Sequence, residues 1–517
     1  MEENETGVAG AKTPAALLHR LAWPFVSSRK GNPLMISHPE RILSCTVKLN
    51  LAIRSRPWEK LQANPLFAWY RRPLVQVSLL GFIFFTCPGL FNAINGMGAA
   101  GQLDENTSVV STMNACLYAF FAVIGFVAGG INNLLGPRLT IFLSGWGYVF
   151  YIGALYDFNM WGNPAVPIAA GAVLGIAAGC IWAAQGAIMM SYPDESSKGR
   201  YIAVFWSIFN WGAVLGNVIV LGMNANSQGG GGVSTATYIA FMVLMGLGSV
   251  MALAMVPPRL VQRKDGSRVM LVQYPDWRTE AVAIAKLVLN RDLMLLFPAF
   301  FYSNFFYTYQ FGFNAYYFSV RTRALNSLFY WLMQILASIG FGWFLDWTRL
   351  SRRTRAFAGL AFVFTVFSVV WGGGLAFQLT SPSPPEKSPN VDWTDGHRFG
   401  GPFVLFMLYG ACDAFFQVYC YWIMGALTND PLRLSRYAGF YKGVQSAGAA
   451  VSWGIGSVSS FPFWGALALN WSLLVVSTPL VFIVCRGIKN TNYGTEDFEK
   501  NNATRGEKEK MELPNRE

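Results

Sequence analysis

The sequence predicts an all-α membrane protein, with twelve transmembrane helices in two pseudo-symmetric six-helix bundles. Three observations carry this. Apolar runs of about 20 residues recur along the chain, the length that an α-helix needs to cross a bilayer. Of 517 residues, 53% are hydrophobic and only 13% charged, where a soluble domain carries about 25% charged residues. The stretch 257–292 holds Arg259, Arg263, Lys264, Arg268, Arg278, Lys286 and Arg291, and it divides the apolar sequence into two halves with equal numbers of spans. A net charge of +12 would suggest nucleic acid as the partner of a soluble protein. Here it fits cytoplasmic Lys and Arg held against an anionic leaflet, so the expected partner is the lipid bilayer and not nucleic acid.

Residues 1–72 open with Glu2, Glu3 and Glu5 and contain no apolar core ahead of a cleavage site, which excludes a signal peptide. The same acids argue against a mitochondrial transit peptide. The apolar pieces here are too short to span, so a cytoplasmic tail is expected, in part lying on the membrane surface. The first span reads at 73–96, directly after Arg71 and Arg72, which keep its start in the cytoplasm. Five more follow at about 109–130, 139–158, 165–190, 202–223 and 235–256, completing an N-terminal bundle over 73–256. In the hinge 257–292, Ala281, Ile284, Leu287 and Leu289 fall mostly on one side of a helix from Trp277 to Asp292, with Arg278, Lys286 and Arg291 opposite. That is the pattern of a helix lying at a membrane surface; a solvated linker is the alternative.

The C-terminal bundle, 293–486, holds spans at about 293–318, 327–346, 355–378, 402–426, 437–458 and 464–485. The tail 487–517 is charged and poor in apolar residues, so it is expected to be disordered. Charge supports this arrangement independently. The loops assigned to the cytoplasm hold Arg138, then Lys198 and Arg200, then the hinge, then Arg349, Arg352, Arg353 and Arg355, then Arg433 and Arg436. The outer loops 102–108, 159–164 and 224–234 hold no Lys or Arg. Arg321 and Arg323 in one outer loop, and Lys387 and Arg398 in another, are exceptions. The loop 379–401 is rich in Pro and polar residues and reads as irregular.

Little in the chain suggests enzyme chemistry. The seven Cys are scattered and show no zinc or disulfide spacing. His19, His38 and His397 lie far apart, so no metal site and no cofactor are expected. There is no phosphate-binding glycine loop, HExxH, GxSxG or pair of catalytic carboxylates; the Gly229–Gly232 run is too isolated to cradle a nucleotide. Asn106-Thr107-Ser108 fits a glycosylation acceptor in the first outer loop.

Two short matches support an internal repeat. Gly129-Gly130-Ile131-Asn132-Asn133-Leu134-Leu135-Gly136-Pro137-Arg138 follows the second span. Gly342-Trp343-Phe344-Leu345-Asp346, with Arg349, Arg352 and Arg353 beyond, follows the eighth. Both resemble the major facilitator loop motif, with Asn133 standing where that motif has its aspartate. Asn133, Arg138, Asp346 and Arg352 are therefore candidate gating residues. Arg200-Tyr201 and Arg436-Tyr437 also occupy corresponding positions. Further motifs are Phe91-Asn92-Ala93-Ile94-Asn95-Gly96-Met97-Gly98, Trp182-Ala183-Ala184-Gln185-Gly186 running into Ser191-Tyr192-Pro193, and Arg436-Tyr437-Ala438-Gly439-Phe440-Tyr441-Lys442-Gly443-Val444-Gln445. Together these resemble the Unc-ninety-three-like family in its fungal form, over roughly residues 64–486. The resemblance implies a major facilitator fold. It also implies a role seen in some members, regulation of potassium channels or the trafficking of receptors.

Within the spans, Gly171, Gly175, Gly179 and Ala183 form a stripe of small residues that lets another helix approach closely. Gly125 and Gly129, and Gly439, Gly443 and Ala447, do the same elsewhere. Asn92 and Asn95 share a face of the first span; Gly96, Gly98 and Gly101 are expected to break it near the outer surface. The seventh span carries Asn304, Gln310 and Asn314. Asp413 sits mid-span, where a carboxylate costs about 2.5–3.5 kcal/mol on insertion scales, and Tyr409 and Gln417 share its face. Lys442 is either its partner or snorkels to the surface. Asn92, Asn95, Gln185, Asn304, Asn314, Asp413, Gln417 and Lys442 are the candidate substrate or coupling-ion site, with structural interhelix hydrogen bonds as the alternative role for the amides. Two functions remain open: a secondary transporter of a small solute or ion, and a non-transporting regulator or trafficking partner of another membrane protein.

Overall fold

The computed structural model describes residues 64–98, 100, 107–192, 198–223, 233–262, 282, 285–345, 347, 349–382, 386–428, 431–458 and 461–490. The expectations for most of the tail 1–72, for the core of the hinge 257–292 and for the tail from residue 491 therefore lie outside the described residues. So do Asn106, Asp346 and the Asn133 side chain. Near the hinge, residues 285–287 are helical and a turn follows at 288–289.

The described chain is helical apart from its connections and short bridges, one of them between Phe318 and Val391. After a short helix at Pro65–Tyr70 come α1 (Pro73–Gly96), α2 (Thr107–Leu135), α3 (Pro137–Trp161), α4 (Ala165–Ser191), α5 (Lys198–Met223) and α6 (Thr235–Met251). The second half holds α7 (Arg291–Tyr302), α8 (Tyr307–Tyr317), α9 (Val320–Leu345), α10 (Arg352–Thr380), α11 (His397–Leu427), α12 (Pro431–Gly456) and α13 (Phe463–Gly487). Among the described residues, ten helices are long and apolar enough to cross a membrane. Large apolar side chains such as Val123, Leu247, Val369 and Val476 stand exposed on their surfaces, as lipid-facing positions do. The protein is a multi-pass integral membrane protein.

Local chemistry sets the helix boundaries. Asn290 caps α7 by accepting from the Leu293 N–H at 3.1 Å, and Ser351 caps α10 by accepting from the Thr354 N–H at 3.1 Å. Pro137 follows Gly136 at the start of α3, and Gly162 in the left-handed region ends it. Pro88 lacks an N–H and crowds the preceding turn, so α1 opens into a π-turn at Phe85–Gly89. The single seventh span expected over 293–318 is two helices, interrupted at 303–306.

The eighth span starts earlier than expected. Arg321 and Arg323 belong to the first turn of α9 and not to a loop, and both are buried. Ser319 Oγ lies 2.8 Å from Asp392 Oδ2, and Arg321 grips the same carboxylate with Nε at 2.8 Å and Nη2 at 2.7 Å. The Arg321 guanidinium also lies over the Trp393 ring, 4.7 Å from its centroid. This pairing holds the Asp392 carboxyl well below the usual carboxylate range. Part of the loop expected to be irregular is thus ordered. It pairs with the end of α8 through a Phe318–Val391 bridge, and Tyr316 accepts a hydrogen bond from Ser388.

Buried apolar side chains fall into two large clusters. One is drawn almost wholly from α1–α6, the other from α7–α13. The two halves meet where α2 packs on α12 and α5 packs on α9. Inside the first half, α4 lies against α2 through the stripe of small residues. A Cβ added at Gly171 would meet the Met113 carbonyl, one at Gly175 the Leu117 carbonyl and one at Gly179 the Ile124 side chain. Gly125 and Gly443 face each other across α2 and α12, but Gly439 faces open space.

Gly175→Leu is therefore expected to cost about 3 kcal/mol or more through overpacking against α2. Thermal denaturation of the solubilised protein measures it, and wild-type stability for the variant would contradict the α2–α4 contact.

Candidate functional site

A cavity of about 380 Å³ lies between the two halves. Its walls come from α1, α2, α3, α4 and α5 on one side and from the 303–306 break with α8, α9, α11 and α12 on the other. On α9 the lining runs from Trp331 to Gly342, and on α11 from Asp413 to Trp422. Both runs lead from mid-helix toward the ends that carry the basic loops.

The opposite end is closed. Arg323 is fully buried, and donates from Nε to the Met97 carbonyl at 2.9 Å and from Nη2 to the Gly98 carbonyl at 2.8 Å. These carbonyls lie just past the C-terminus of α1, where the helix dipole is negative and favours a cation. Asn314 Nδ2 adds a bond to the Gly96 carbonyl at 3.0 Å, and Asn326 Nδ2 steadies Asn314 at 3.0 Å. Gly98 has φ +76°, and a Cβ there would run into the Phe311 carbonyl, so only glycine lets the tip of α1 seat on α8. On the neighbouring seam, Ser108 Oγ donates to the Ser457 carbonyl at 2.9 Å.

Asp413 stands in the cavity wall, fully buried. Its Oδ2 accepts from Tyr307 Oη at 2.9 Å and from Gln334 Nε2. Tyr330 Oη lies 3.3 Å from the same oxygen and 2.8 Å from Gln310 Oε1, so one proton serves two acceptors. Asp413 Oδ1 has no partner. The carboxylate of α11 thus ties α8 and α9 together just beyond the helix break.

A second network holds the other side of that break. Gln417 Nε2 reaches the Ser303 carbonyl at 3.1 Å and Asn304 Oδ1 at 2.8 Å. Tyr441 Oη donates to Gln417 Oε1 at 2.6 Å, and Gln445 Nε2 lies 2.9 Å from Ser303 Oγ. Backbone groups freed by an interrupted helix need such partners within a membrane. Lys442 Nζ donates to Gln445 Oε1 at 2.8 Å and sits among the rings of Trp182, Tyr441 and Tyr421, at 5.0, 5.3 and 5.6 Å from their centroids.

Of the eight candidates, Asn92, Asn304, Asp413, Gln417 and Lys442 line this cavity. Lys442 does not snorkel; its ammonium is held by Gln445 and the ring faces, and the Asp413 carboxylate acts on it through space without a direct contact. Asn95 turns away: its Oδ1 lies 3.1 Å from Asn114 Nδ2 and 3.3 Å from Tyr151 Oη, fastening α1 to α2 and α3. Gln185 is buried in α4 outside the lining, and Asn314 belongs to the closed end. Tyr409 shares the Asp413 helix face but meets Tyr309 Oη at 3.4 Å. Among the gating candidates, Arg352 donates to the Gly425 carbonyl at 2.7 Å at the end of α11, and Arg138 stands at the start of α3.

Tyr307, Tyr330, Gln334, Gln445 and Arg323 were not singled out from the sequence. Tyr and Gln in an apolar helix carry no mark that separates a cavity wall from a core. Arg323 left a signal, as a basic residue on the side that otherwise has few.

If Tyr307 bonds Asp413 as described, Tyr307→Phe is expected to cost less in an Asp413→Ala background than in the wild type, by on the order of 1 kcal/mol. A denaturation cycle over the four proteins measures this coupling, and additive effects would contradict the bond.

A family model described as ion channel regulatory protein UNC-93 matches residues 111–482. UNC93-like protein 1 of Arabidopsis thaliana is 45% identical over 83% of this chain and 94% of its own. UNC93-like protein C922.05c of Schizosaccharomyces pombe is 42% identical over 83% of this chain and 85% of its own. Among solved structures, the Major Facilitator Superfamily transporter FucP in its outward conformation superposes with a TM-score of 0.53 at 12% identity, covering 81% of this chain and 99% of that one. That likeness is one of fold.

Proposed function

The chain belongs to the UNC-93 family, and from that premise we propose that it is a secondary transporter, moving a small solute or ion by alternating access between two six-helix bundles. In this reading 73–256 and 293–486 are the bundles. The ten long apolar helices are joined by α12 and by the interrupted pair α7–α8 to make twelve spans. The segment 257–292 links the bundles and lies in the cytoplasm with the tails 1–72 and 487–517, because the basic residues cluster there. Two separate apolar cores, the α2–α12 and α5–α9 seams and the facilitator-type fold support it.

One observation carries the reading: a cavity at mid-helix between the two halves that is shut by Arg323 at one end and leads toward the basic loops at the other. That is the geometry of one half of an alternating cycle, with the cavity reached from the cytoplasmic side. Asn92, Asn304, Gln417 and Lys442 form the binding surface, and Asp413 is the group that couples the site to a proton or balances its charge. Arg138 and Arg352 gate the cytoplasmic end. The reading assigns no catalytic chemistry and no cofactor.

A second reading is favoured by the description of the matching family model. The same bundles would then be a fixed platform for an ion channel or other membrane protein.

Reconstitution into liposomes with an imposed pH gradient and a panel of solutes separates the two. The transport reading expects at least one solute to accumulate, and Asp413→Asn to fold but lose the gradient-driven part at least tenfold. A folded wild-type protein that accumulates none of the panel favours the platform.

Topology has its own test. A cysteine replacing Ser267, in a background freed of native cysteines, is expected to react only with reagent on the cytoplasmic side. Labelling from outside alone would overturn the six-plus-six arrangement.

A further inference from the structure

Among the described residues that line the cavity, Lys442 is the one basic side chain. An ammonium has three N–H donors, and one goes to Gln445 Oε1. The ring faces of Trp182, Tyr421 and Tyr441 stabilise the charge around it but accept no ordinary hydrogen bond. Two donors are therefore left without an oxygen acceptor among the described residues, on a charge withdrawn from bulk water. Asp413 does not supply the acceptor. It is fully buried, its Oδ2 is taken by donors from α8 and α9, and its free Oδ1 has no accessible surface.

We propose that the cavity takes small organic anions with a flat apolar body, the anionic oxygens seated on Lys442 Nζ. This deepens the transport reading and rests on it for the binding to serve translocation. The walls fit the body. Trp182 and Trp206 lie with centroids 6.1 Å apart, and Trp206 meets Tyr421 of the other half at 6.2 Å, so an aromatic wall runs across both halves beside the ammonium. Phe91, Phe121 and Trp422 continue the apolar lining.

An organic cation would meet the Lys442 charge directly. A neutral analogue would leave the ammonium's donors as they are. The volume of about 380 Å³ falls at the small end of the roughly 300–1,000 Å³ usual for ligand pockets.

The test uses the full-length protein in detergent and three probes that share one body: 2-naphthoate, 2-naphthamide and 2-naphthylmethylamine. Thermal denaturation is followed with each. The proposal expects 2-naphthoate to raise Tm by about 2 °C or more at saturation, with the amide and amine giving at most a small part of that shift. Lys442→Gln is expected to abolish the naphthoate shift, Lys442→Arg to retain most of it, and Lys387→Gln at the exposed loop to leave it intact. Equal shifts from the three probes, no shift from naphthoate, or a full shift in Lys442→Gln would each overturn the proposal. If Lys442→Gln does not fold, the discrimination among probes by the wild type decides alone.

The two levels of the argument fail separately. Lys442-dependent binding of naphthoate with no solute accumulated in liposomes would remove the transport reading and leave the anion site standing. Gradient-driven uptake of cationic or neutral solutes, with no naphthoate binding, would do the reverse.

Discussion

In the hydrocarbon of a bilayer a polar group has no water to turn to, so the polar side chains on these helices depend on partners within the protein. That constraint organises the molecule. The amide of Asn95 fastens α1 to its neighbours with Asn114 and Tyr151. The interruption at 303–306 exposes backbone groups; Gln417 meets the Ser303 carbonyl there, and Gln445 bonds the Ser303 hydroxyl beside it. Asp413 is tolerated because α8 and α9 bring donors to it. Polar groups thus concentrate at interhelix fasteners, at one sealed end and around one cavity, and the remaining helix surface stays apolar toward lipid.

The sealed end and the cavity differ in what opening them requires. At the sealed end Arg323 makes two charge-assisted bonds to carbonyls of α1, worth about 1.5–3 kcal/mol each. Their sum is comparable to the roughly 5.5 kcal/mol that carries a two-state equilibrium from 1:99 to 99:1. On the transport reading, a seal of that size holds one state without locking it. The seams beside it pass glycines close together, as at Gly125 and Gly443, which suits surfaces that rock against each other. The cavity end is lined by aromatic rings and amides and has the basic loops beyond it. On the transport reading, the break 303–306 is the element that ligand binding biases, since Asp413 touches it through Tyr307 on one side and Lys442 through Gln445 on the other.

Much of the fold was legible because a membrane helix must be apolar over a fixed length, and α1, α4 and α13 stand close to where the apolar runs placed them. The departures have physical causes. The break at 303–306 falls on Ser-Asn-Phe-Phe, with no Gly or Pro within it to mark it. The start of α9 is charged and reads as loop, yet Asp392 and the carbonyls of α1 neutralise Arg321 and Arg323. Those two residues looked like exceptions to the charge bias; in the structure they form a buried pair and a seal. Asp413 was legible because a mid-span carboxylate has few innocent explanations. The amides were not separable by type: Asn92 faces the cavity and Asn95, three residues on, faces the packing of its own half. Lys442 was read with two partners in view, lipid surface or Asp413, and the aromatic enclosure was a third that no spacing announced.

The central claim is that the two ends of this molecule open in turn. Spin labels report it directly, in a background without native cysteines. One pair, at Trp69→Cys and Trp347→Cys, spans the end with the basic loops; the other, at Trp161→Cys and Leu379→Cys, spans the end sealed by Arg323. All four positions are exposed. Distance distributions from electron–electron resonance are compared with Arg323 present and with Arg323→Gln. The account predicts that removing Arg323 shifts population so that the Trp161–Leu379 distance lengthens while the Trp69–Trp347 distance shortens. Distributions that stay unchanged at both ends, in a folded protein, would contradict alternating access and describe a rigid platform instead.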